Sequence, residues 1–217
     1  MLVSCDYSQI ELRLAAHLAE DERMIETFRA GKDIHTATAA AVNHVGLEQV
    51  TPAMRRNAKA INFGILYGMG AVSLSESLGI TRREAADFIQ AYFEEFPRVK
   101  AYLSELKQQA LERGYVETLF GRRRYFHNMA NMGFQARREA ERMAINAPIQ
   151  GSEADIIKVA MIRVHNELAN DIQKGDVRML LQVHDELVFE IRKEKTASLR
   201  SHIQHIMEQV CELNVLL

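Results

Sequence analysis

Two apolar segments, partly β-branched, meet at three polar residues near the C-terminal end of the chain. They occupy residues 178–183 and 187–191, with His184, Asp185 and Glu186 between them. Such a pattern predicts a β-hairpin that carries the three polar side chains at its tip. Because most of the remaining chain has helical spacing, the hairpin limits the fold to the α+β class, an antiparallel sheet packed against helices.

A second short strand is predicted at the N-terminus. The mostly apolar residues 2–5 lead directly into Asp6, and apolar residues then recur with helical spacing from Ile10 to Leu18. Asp6 is therefore expected where a strand ends and a helix is about to begin.

The middle of the chain, residues 24–115, has a nearly continuous helical pattern. Thr51 followed by Pro52 marks one helix start, and Thr81 with Glu84 forms a capping box at another. We interpret this part of the chain as a helical insert.

The C-terminal half continues with a turn at residues 120–122 and three further helices. The helices are predicted from about Gln135, over 152–172 and over 198–213. No internal repeat, low-complexity tract or flexible linker separates the segments. We therefore expect helices and sheet to form one compact unit.

The composition is that of an ordinary globular protein. With 217 residues, 47% of them hydrophobic, the chain can bury one sizeable core or two small ones. No stretch approaches 18 uninterrupted apolar residues and the first residues lack a secretory pattern, so we expect a cytoplasmic protein with no membrane partner. Cys5 and Cys211 fit no metal-ligand spacing, which favours two reduced thiols.

The net charge of −2 argues against a nucleic-acid partner, because phosphate binding usually requires an excess of basic residues. The basic residues are nevertheless clustered, at 55–59, 122–124 and 137–138, while acidic residues crowd segments such as 20–22. An enzyme that acts on nucleic acid through metal ions also needs carboxylates. The overall charge therefore does not decide the partner.

Asp6 and Asp185 are candidate metal ligands, since each lies at the end of a predicted strand. Nucleotidyl transfer by two metal ions requires carboxylates that converge on ions about 3.5–4 Å apart. The main-chain carbonyl of Tyr7 can complete the oxygen-rich shell that Mg²⁺ prefers. Taken alone, an acidic residue in a turn is more often a solvated residue without function.

Arg55, Lys59, Phe63 and Tyr67 are spaced by four, so they form one stripe along a helix. The stripe presents two cations and then two aromatic rings, in the same order as the polyphosphate and the base of a nucleoside triphosphate. Without other motifs, a helix with a solvated basic start and an aromatic core end is the better explanation of the stripe.

Three segments together indicate a family. Residues 6–13, 55–68 and 182–186 resemble motifs A, B and C of family A DNA polymerases, the family of bacterial DNA polymerase I, in the family's order. The resemblance implies a polymerase palm, an antiparallel β-sheet with helices, at about 1–23 and 128–217. It implies a helical fingers subdomain inserted at about 24–127.

The resemblance also implies template-directed addition of deoxynucleoside triphosphates to a primer 3′ end in DNA replication or repair. Asp6, Asp185 and Lys59 are the implied catalytic residues. Two Mg²⁺ ions are the implied cofactors, with ligands at Asp6, Tyr7, Asp185 and Glu186. The implied nucleotide-binding residues are Gln9, Glu11, His35, Arg55, Lys59, Phe63 and Tyr67. Without the resemblance, His35 would be interpreted as a partly exposed residue at a helix start.

Residues 142–151 resemble the family segment that contacts the minor groove of the primer–template. Arg142, Asn146 and Gln150 are the implied DNA-binding residues there, where sequence-independent acceptors are available, and His184 is the one implied beside the primer terminus. Residues 122–124 either contact phosphates or form a solvated basic turn. The implied partners are primer–template DNA and deoxynucleoside triphosphates, and we expect a monomer.

The resemblance does not extend to a thumb, an exonuclease domain or a Trp-containing final strand, and we expect none of these within the 217 residues. Two alternatives stay open. A single-subunit RNA polymerase shares the metal-binding aspartates, although the Glu11 and Phe63 pair argues against it. A DNA-binding remnant that retains the fold without turnover is the other.

Overall fold

A computed structural model describes residues 1–217 as a largely helical chain with one three-stranded sheet and one small hairpin. The strands are β1 (Leu2–Asp6), β2 (Tyr115–Glu117), β3 (Arg123–Tyr125), β4 (Val177–Val183) and β5 (Glu186–Ile191). The helices before β2 are α1 (Ile10–Ala19), α2 (Glu22–Arg29), α3 (Ile34–Asn43), α4 (Pro52–Leu66), α5 (Ala71–Leu78), α6 (Arg82–Glu95) and α7 (Pro97–Arg113). Those that follow are α8 (Phe134–Glu167), α9 (Ala169–Gln173) and α10 (Thr196–Glu208).

The larger sheet joins the two ends of the chain. Its strand order is β1-β5-β4, all antiparallel, and its register places Asp6 opposite Glu186. Strands β4 and β5 are connected by the two-residue loop of His184 and Asp185, since Val183 pairs with Glu186. The predicted N-terminal strand, the predicted hairpin and the α+β class are therefore confirmed.

The predicted helix starts in the middle of the chain are confirmed. The Thr51 hydroxyl accepts a hydrogen bond from the amide of Met54 at 3.2 Å, and Pro52 occupies the first turn of α4. Thr81 and Glu84 form the reciprocal capping box of α6. Each cap satisfies amide groups that a helix N-terminus leaves without intrahelical partners.

The predicted break between two helices at 135 and 152 is wrong. Residues 134–167 form the single helix α8, with Pro148 inside it. Interior Pro removes a backbone hydrogen bond, yet Pro148 and Ser152 are buried, and the Ser152 hydroxyl donates to the Pro148 carbonyl and accepts from the amide of Leu119 at 2.8 Å. Tertiary packing thus keeps the helix continuous. The last helix is also shorter than predicted and ends at Glu208.

One hydrophobic cluster runs through the whole molecule and includes residues of α1, α4, α7, α8, α10 and the larger sheet. It supports the expectation of one compact unit. Helix α8 packs against α1, α7 and α10. The central strand β5 is buried at Leu187, Phe189 and Ile191, whereas the edge strand β4 leaves Leu180, Leu181 and other apolar side chains exposed.

No helix of the chain combines the length and the apolar character that a bilayer span requires, although α8 has 34 residues.

Candidate active site

A cleft of about 450 Å³ lies where α1, α4 and α8 meet the tip of the β4–β5 hairpin. Ten of its lining residues were predicted site residues: Asp6, Gln9, Glu11, His35, Arg55, Lys59, Phe63, Tyr67, His184 and Asp185. Ser8, Ile10 and Glu153 complete the lining. The structure therefore gathers residues from both ends of the chain and from its middle into one cavity.

One end of the cleft is acidic. Asp6 ends β1 and Asp185 lies in the hairpin loop, and the amide of Tyr7 donates to the Asp185 carbonyl at 3.2 Å, which holds the two segments together. Partial burial and the neighbouring carboxylates of Asp185 and Glu186 raise the pKa of Asp6 above its usual value. No cation contributes to that environment. Carboxylates that lie together without a positive partner are the kind of oxygen donor that a divalent cation such as Mg²⁺ prefers.

Two residues beside these carboxylates have unusual backbone conformations. Gln9 caps α1 with φ 57°, and His184 begins the hairpin loop with φ 53°. Positive φ is uncommon for residues other than glycine and persists only where the surrounding structure enforces it. The turn after β1 and the tip of the β4–β5 hairpin, which both border the cleft, therefore each contain one residue with a positive φ angle.

Tyr7 and Glu186, the other two implied metal ligands, lie beside the cleft and do not line it. The Tyr7 ring is buried, and its hydroxyl donates to the carbonyl of Met207 at 2.8 Å. Glu186 accepts a hydrogen bond from the hydroxyl of Ser4 at 2.5 Å. Both side chains therefore have protein partners. The oxygen donors that remain are the main-chain carbonyl of Tyr7 and the second carboxylate oxygen of Glu186, since Ser4 contacts only Oε1.

The opposite end of the cleft is basic. Lys59 is exposed and has no ion-pair partner, whereas Arg55 pairs with Asp33, the residue that caps α3. The Nε atom of Arg55 lies 2.5 Å from Oδ2 of Asp33. Although partial burial acts to raise the pKa of Asp33, hydrogen bonds from Arg55 and Thr36 lower it to about 2. The arginine is thus held at the cleft by a carboxylate.

His35 lines the same basic end but is buried, so its interpretation as a partly exposed residue is wrong. Its Nδ1 atom lies 2.8 Å from the amide nitrogen of Asn62, a buried residue of α4. Burial, together with the nearby Arg55 and Lys59, lowers the pKa of His35 below its usual value. The packing of α3 on α4 removes the ring from solvent while leaving it at the cleft wall.

The aromatic residues Phe63 and Tyr67 follow the two cations along α4 and line the same cleft. Phe63 stacks on Tyr67 with ring centroids 6.4 Å apart and packs against His35 at 5.9 Å. The hydroxyl of Tyr67 donates to Oε2 of Glu11 at 2.6 Å, joining the end of α4 to the start of α1. Burial and the carboxylate of Glu11 raise the pKa of Tyr67. The predicted stripe is therefore a wall that ends at an acidic side chain.

The residues implied in DNA binding lie along one stripe of α8, apart from His184 at the hairpin tip. Arg142 and Gln150 are exposed, and the carbonyl oxygen of the Asn146 side chain is buried without a hydrogen-bond partner. Gly68 has φ +72°, and a Cβ there would lie 2.9 Å from Cγ of Arg142. A glycine at this position thus lets the backbone that follows α4 approach the side chains of α8 closely. None of the three α8 residues lines the cleft.

Residues 122–124, the basic segment that either contacts phosphates or forms a solvated turn, are exposed, and two of them have carboxylate partners. Arg122 pairs with Asp155 at 3.0 Å, and Arg123 pairs with Glu117 at 2.8 Å. Two of the three arginines are therefore neutralised within the protein, while Arg124 lies near the ring of Phe126.

Glu153 is the one acidic cleft residue that the sequence analysis missed. It follows Gln150 by three positions on α8, so continuing the stripe of Arg142, Asn146 and Gln150 by a further helical turn would have reached it. Partial burial, and then the charges of Glu11 and Asp185, raise the pKa of Glu153 to about 7. It is thus a fourth carboxylate in the cleft, after Asp6, Glu11 and Asp185.

Comparisons with known proteins agree on one family. The sequence model of DNA polymerase family A matches residues 1–217. The chain is 50% identical over 215 residues to DNA polymerase I of Geobacillus stearothermophilus, covering 99% of this chain and 24% of the relative. It is 48% identical over 215 residues to the thermostable DNA polymerase I of Thermus aquaticus, covering 99% of this chain and 25% of the relative.

A solved structure with the same fold is the POL domain of Pol1 from M. smegmatis in complex with DNA primer-template and dNTP. It superimposes with a TM-score of 0.93 at 42% identity, over 100% of this chain and 38% of that one. The chain spans about a quarter of the length of the curated relatives it matches.

Proposed function

The chain belongs to DNA polymerase family A, and from this premise we propose that its cleft performs template-directed transfer of deoxynucleotides to a primer 3′ end. The observation that carries the proposal is the division of one cavity into an acidic end, an aromatic wall and a basic end. This order matches the metal-bound reacting atoms, the sugar and base, and the polyphosphate of a nucleotide. In this proposal the palm comprises about 1–23 and 128–217, and the fingers comprise about 24–127.

Asp6 and Asp185 would hold two Mg²⁺ ions, with the Tyr7 carbonyl and Glu186 as additional donors. Bound Mg²⁺ at such a site lowers the pKa of an attacking hydroxyl and neutralises developing charge on the phosphate. The protein contributes by fixing Asp6 at a strand end and Asp185 in a two-residue loop, so neither carboxylate has to be reoriented. Lys59 would place a positive charge at the leaving pyrophosphate.

Arg55, Lys59 and His35 would bind the triphosphate. Arg55 would exchange its carboxylate partner Asp33 for phosphate oxygens, which accept the same bidentate geometry. Phe63 would pack on the incoming base, with Gln9 beside it. Glu11, held by the hydroxyl of Tyr67, would occupy the space that a ribose 2′-hydroxyl requires.

Primer–template DNA would lie along α8. Arg142, Asn146 and Gln150 would face its minor groove, and His184 would contact the primer terminus. The related POL domain was solved with primer-template and dNTP, which supports the proposed partners. We propose a monomer that acts in the cytoplasm during replication or repair.

Primer extension tests the proposal. We would replace the matching segment of Geobacillus stearothermophilus DNA polymerase I with this chain and compare the chimera with its Asp185→Asn variant. The chimera should extend a primer with Mg²⁺ and four deoxynucleotides, and the variant should lose at least about 10³-fold in rate while retaining DNA affinity. DNA binding without extension by the unsubstituted chimera would instead identify a remnant without turnover.

A further inference from the structure

Glu153 has no role in the proposed function, yet it lines the cleft. It is half-buried, it takes part in none of the ion pairs of the chain, and it makes no side-chain hydrogen bond. A carboxylate in that position is normally paired, because removing a charge from water without a partner is costly. The carboxylate of Glu153 is therefore expected to have a positively charged partner, and no side chain of this protein forms an ion pair with it.

The cations of the cleft do not reach this carboxylate. Glu11 and Asp185 are the charges that act on Glu153, and no lysine or arginine does. Asp6 has the same kind of surroundings, with Asp185 and Glu186 acting on it and no cation. Arg55 and Lys59 act instead on His35, at the basic end. Negative charge is thus concentrated at one end of the cavity, and Glu153 adds to it.

We propose that Glu153 is a positioning residue for the divalent cation, one whose negative charge beside Asp185 strengthens metal binding at Asp6 and Asp185. This inference rests on the proposed function, because it concerns the same metal site. The physical basis is Coulomb attraction in a partly desolvated cleft, where a unit charge acts more strongly than in bulk water. Helix α8 is continuous at this point, so the backbone that carries Glu153 belongs to a regular helix.

The test is direct titration of the 217-residue chain with Mn²⁺, with free Mn²⁺ measured by electron paramagnetic resonance. Glu153→Gln should weaken Mn²⁺ binding about three- to tenfold, the order of effect expected for one nearby, partly solvated charge. Glu153→Asp keeps the charge and should bind within about twofold of the parent chain. Glu139→Gln is the matched control, since Glu139 is an exposed carboxylate on the same helix, roughly 20 Å away along its axis.

Circular dichroism would establish that each variant keeps the parental helix content. In the chimeric polymerase, Glu153→Gln should also raise the Mg²⁺ concentration for half-maximal extension by a similar factor, and Glu139→Gln should not. The Mg²⁺ dependence of the chimeric polymerase still tests the role of Glu153 if one variant of the isolated chain does not fold.

Asp185→Asn separates this inference from the proposed function. If Asp185→Asn loses Mn²⁺ binding while Glu153→Gln binds as the parent does, the role of Glu153 is refuted and the metal site stands. Equal weakening by Glu153→Gln and Glu153→Asp would also refute it, because shape and not charge would then matter. If Asp185→Asn binds Mn²⁺ as tightly as the parent, the proposed metal site is wrong and this inference falls with it.

Discussion

In the proposed function, single side chains would decide which sugar the cleft accepts. The hydrogen bond from Tyr67 holds the carboxylate of Glu11 in the cleft that Asp6 and Asp185 also line, and in the proposed function this carboxylate would obstruct a ribose 2′-hydroxyl. Selection of this kind comes from differential binding of two closely similar substrates. In this proposal, sugar selection would depend on both Tyr67 and Glu11 and not on Glu11 alone.

We expect Glu11→Ala to raise ribonucleotide incorporation relative to deoxynucleotide by at least about tenfold, because it opens space in the pocket. Tyr67→Phe should give a smaller change in the same direction, since Glu11 remains but is no longer held. Competing kcat/KM values in the chimeric polymerase measure both effects. Unchanged selection in Glu11→Ala would remove this residue from the sugar site.

The raised pKa of Glu153 has a consequence for stability. A carboxyl whose pKa is about 7 in the folded chain, against about 4.5 when unfolded, destabilises the fold increasingly as the pH rises between those values. Glu153→Gln should therefore raise the melting temperature at pH 8 and change it little at pH 4.5, measured with EDTA present. The shift corresponds to about 3 kcal/mol at most, and solvent exposure of the group reduces our expectation to about 1 kcal/mol.

At the scale of elements, α3 and α4 are joined at the basic end by Asp33 and Arg55. Asp33 serves twice, as the cap of α3 and as the partner of Arg55. A phosphate that binds Arg55 therefore competes with this carboxylate for the Nε and Nη2 donors. The ion pair is largely exposed, so it adds little to stability, and its main effect is to set the position and availability of the arginine.

Asp33→Asn separates the two roles, because Asn also caps helices well. We expect the variant to keep the stability of the parent within about 1 kcal/mol and to bind a deoxynucleoside triphosphate about two- to fivefold more tightly, as Arg55 no longer has a competing anion. Isothermal titration calorimetry would measure the affinity. Asp33→Ala, which loses the cap as well, is the control for the stability change.

The close contact between α8 and the β2–β3 hairpin depends on Gly151. A Cβ at that position would lie 2.5 Å from Cγ2 of Thr118 and 3.3 Å from Nη2 of Arg122. Alanine normally stabilises a helix interior by up to about 1 kcal/mol relative to glycine, yet Gly151→Ala should destabilise this chain by about 1–3 kcal/mol. Thermal unfolding of Gly151→Ala with and without Thr118→Ser checks the cause, because serine removes the clashing methyl group and should recover part of the loss.

The sequence was sufficient to predict those elements whose determinants are local. The hairpin at 178–191, the strand before Asp6 and the capping box at Thr81 are all visible in residue order, and the structure has each of them. The division of α8 was predicted wrongly because Pro148 and Gly151 are interpreted locally as breaks. In the folded chain this segment stays helical because the β2–β3 hairpin packs against it, and that contact cannot be seen in the local sequence.

In the cleft, too, local spacing could be predicted from the sequence, whereas contacts between separate elements could not. The four-residue spacing on α4 predicted a stripe of cations and rings, and the stripe does line one wall. Spacing could not show that His35 is buried against Asn62, or that Asp33 occupies Arg55, because those contacts join separate elements. Glu153 was missed because its importance comes from the charges around it and not from its neighbours in sequence.

On the scale of the whole molecule, the strands of the larger sheet are buried to different degrees, with β5 buried and β4 partly exposed. Leu181 and Val183 of β4 are about half exposed, and β4 is an edge strand whose outer side has no paired neighbour within this chain. An open edge with exposed apolar side chains promotes association between copies. The 217-residue chain alone should therefore be poorly soluble and should associate as its concentration rises.

Charged substitution on β4 tests this expectation. The double variant Leu181→Lys and Val183→Lys should shift the chain toward monomer in sedimentation velocity experiments, because lysine on an edge strand opposes edge-to-edge pairing. Ile162→Lys is the matched control, since Ile162 is an apolar side chain of α8 that is 61% exposed and far from any strand edge in sequence. An equal effect of the control would show that overall charge, and not the open edge of the sheet, governs association.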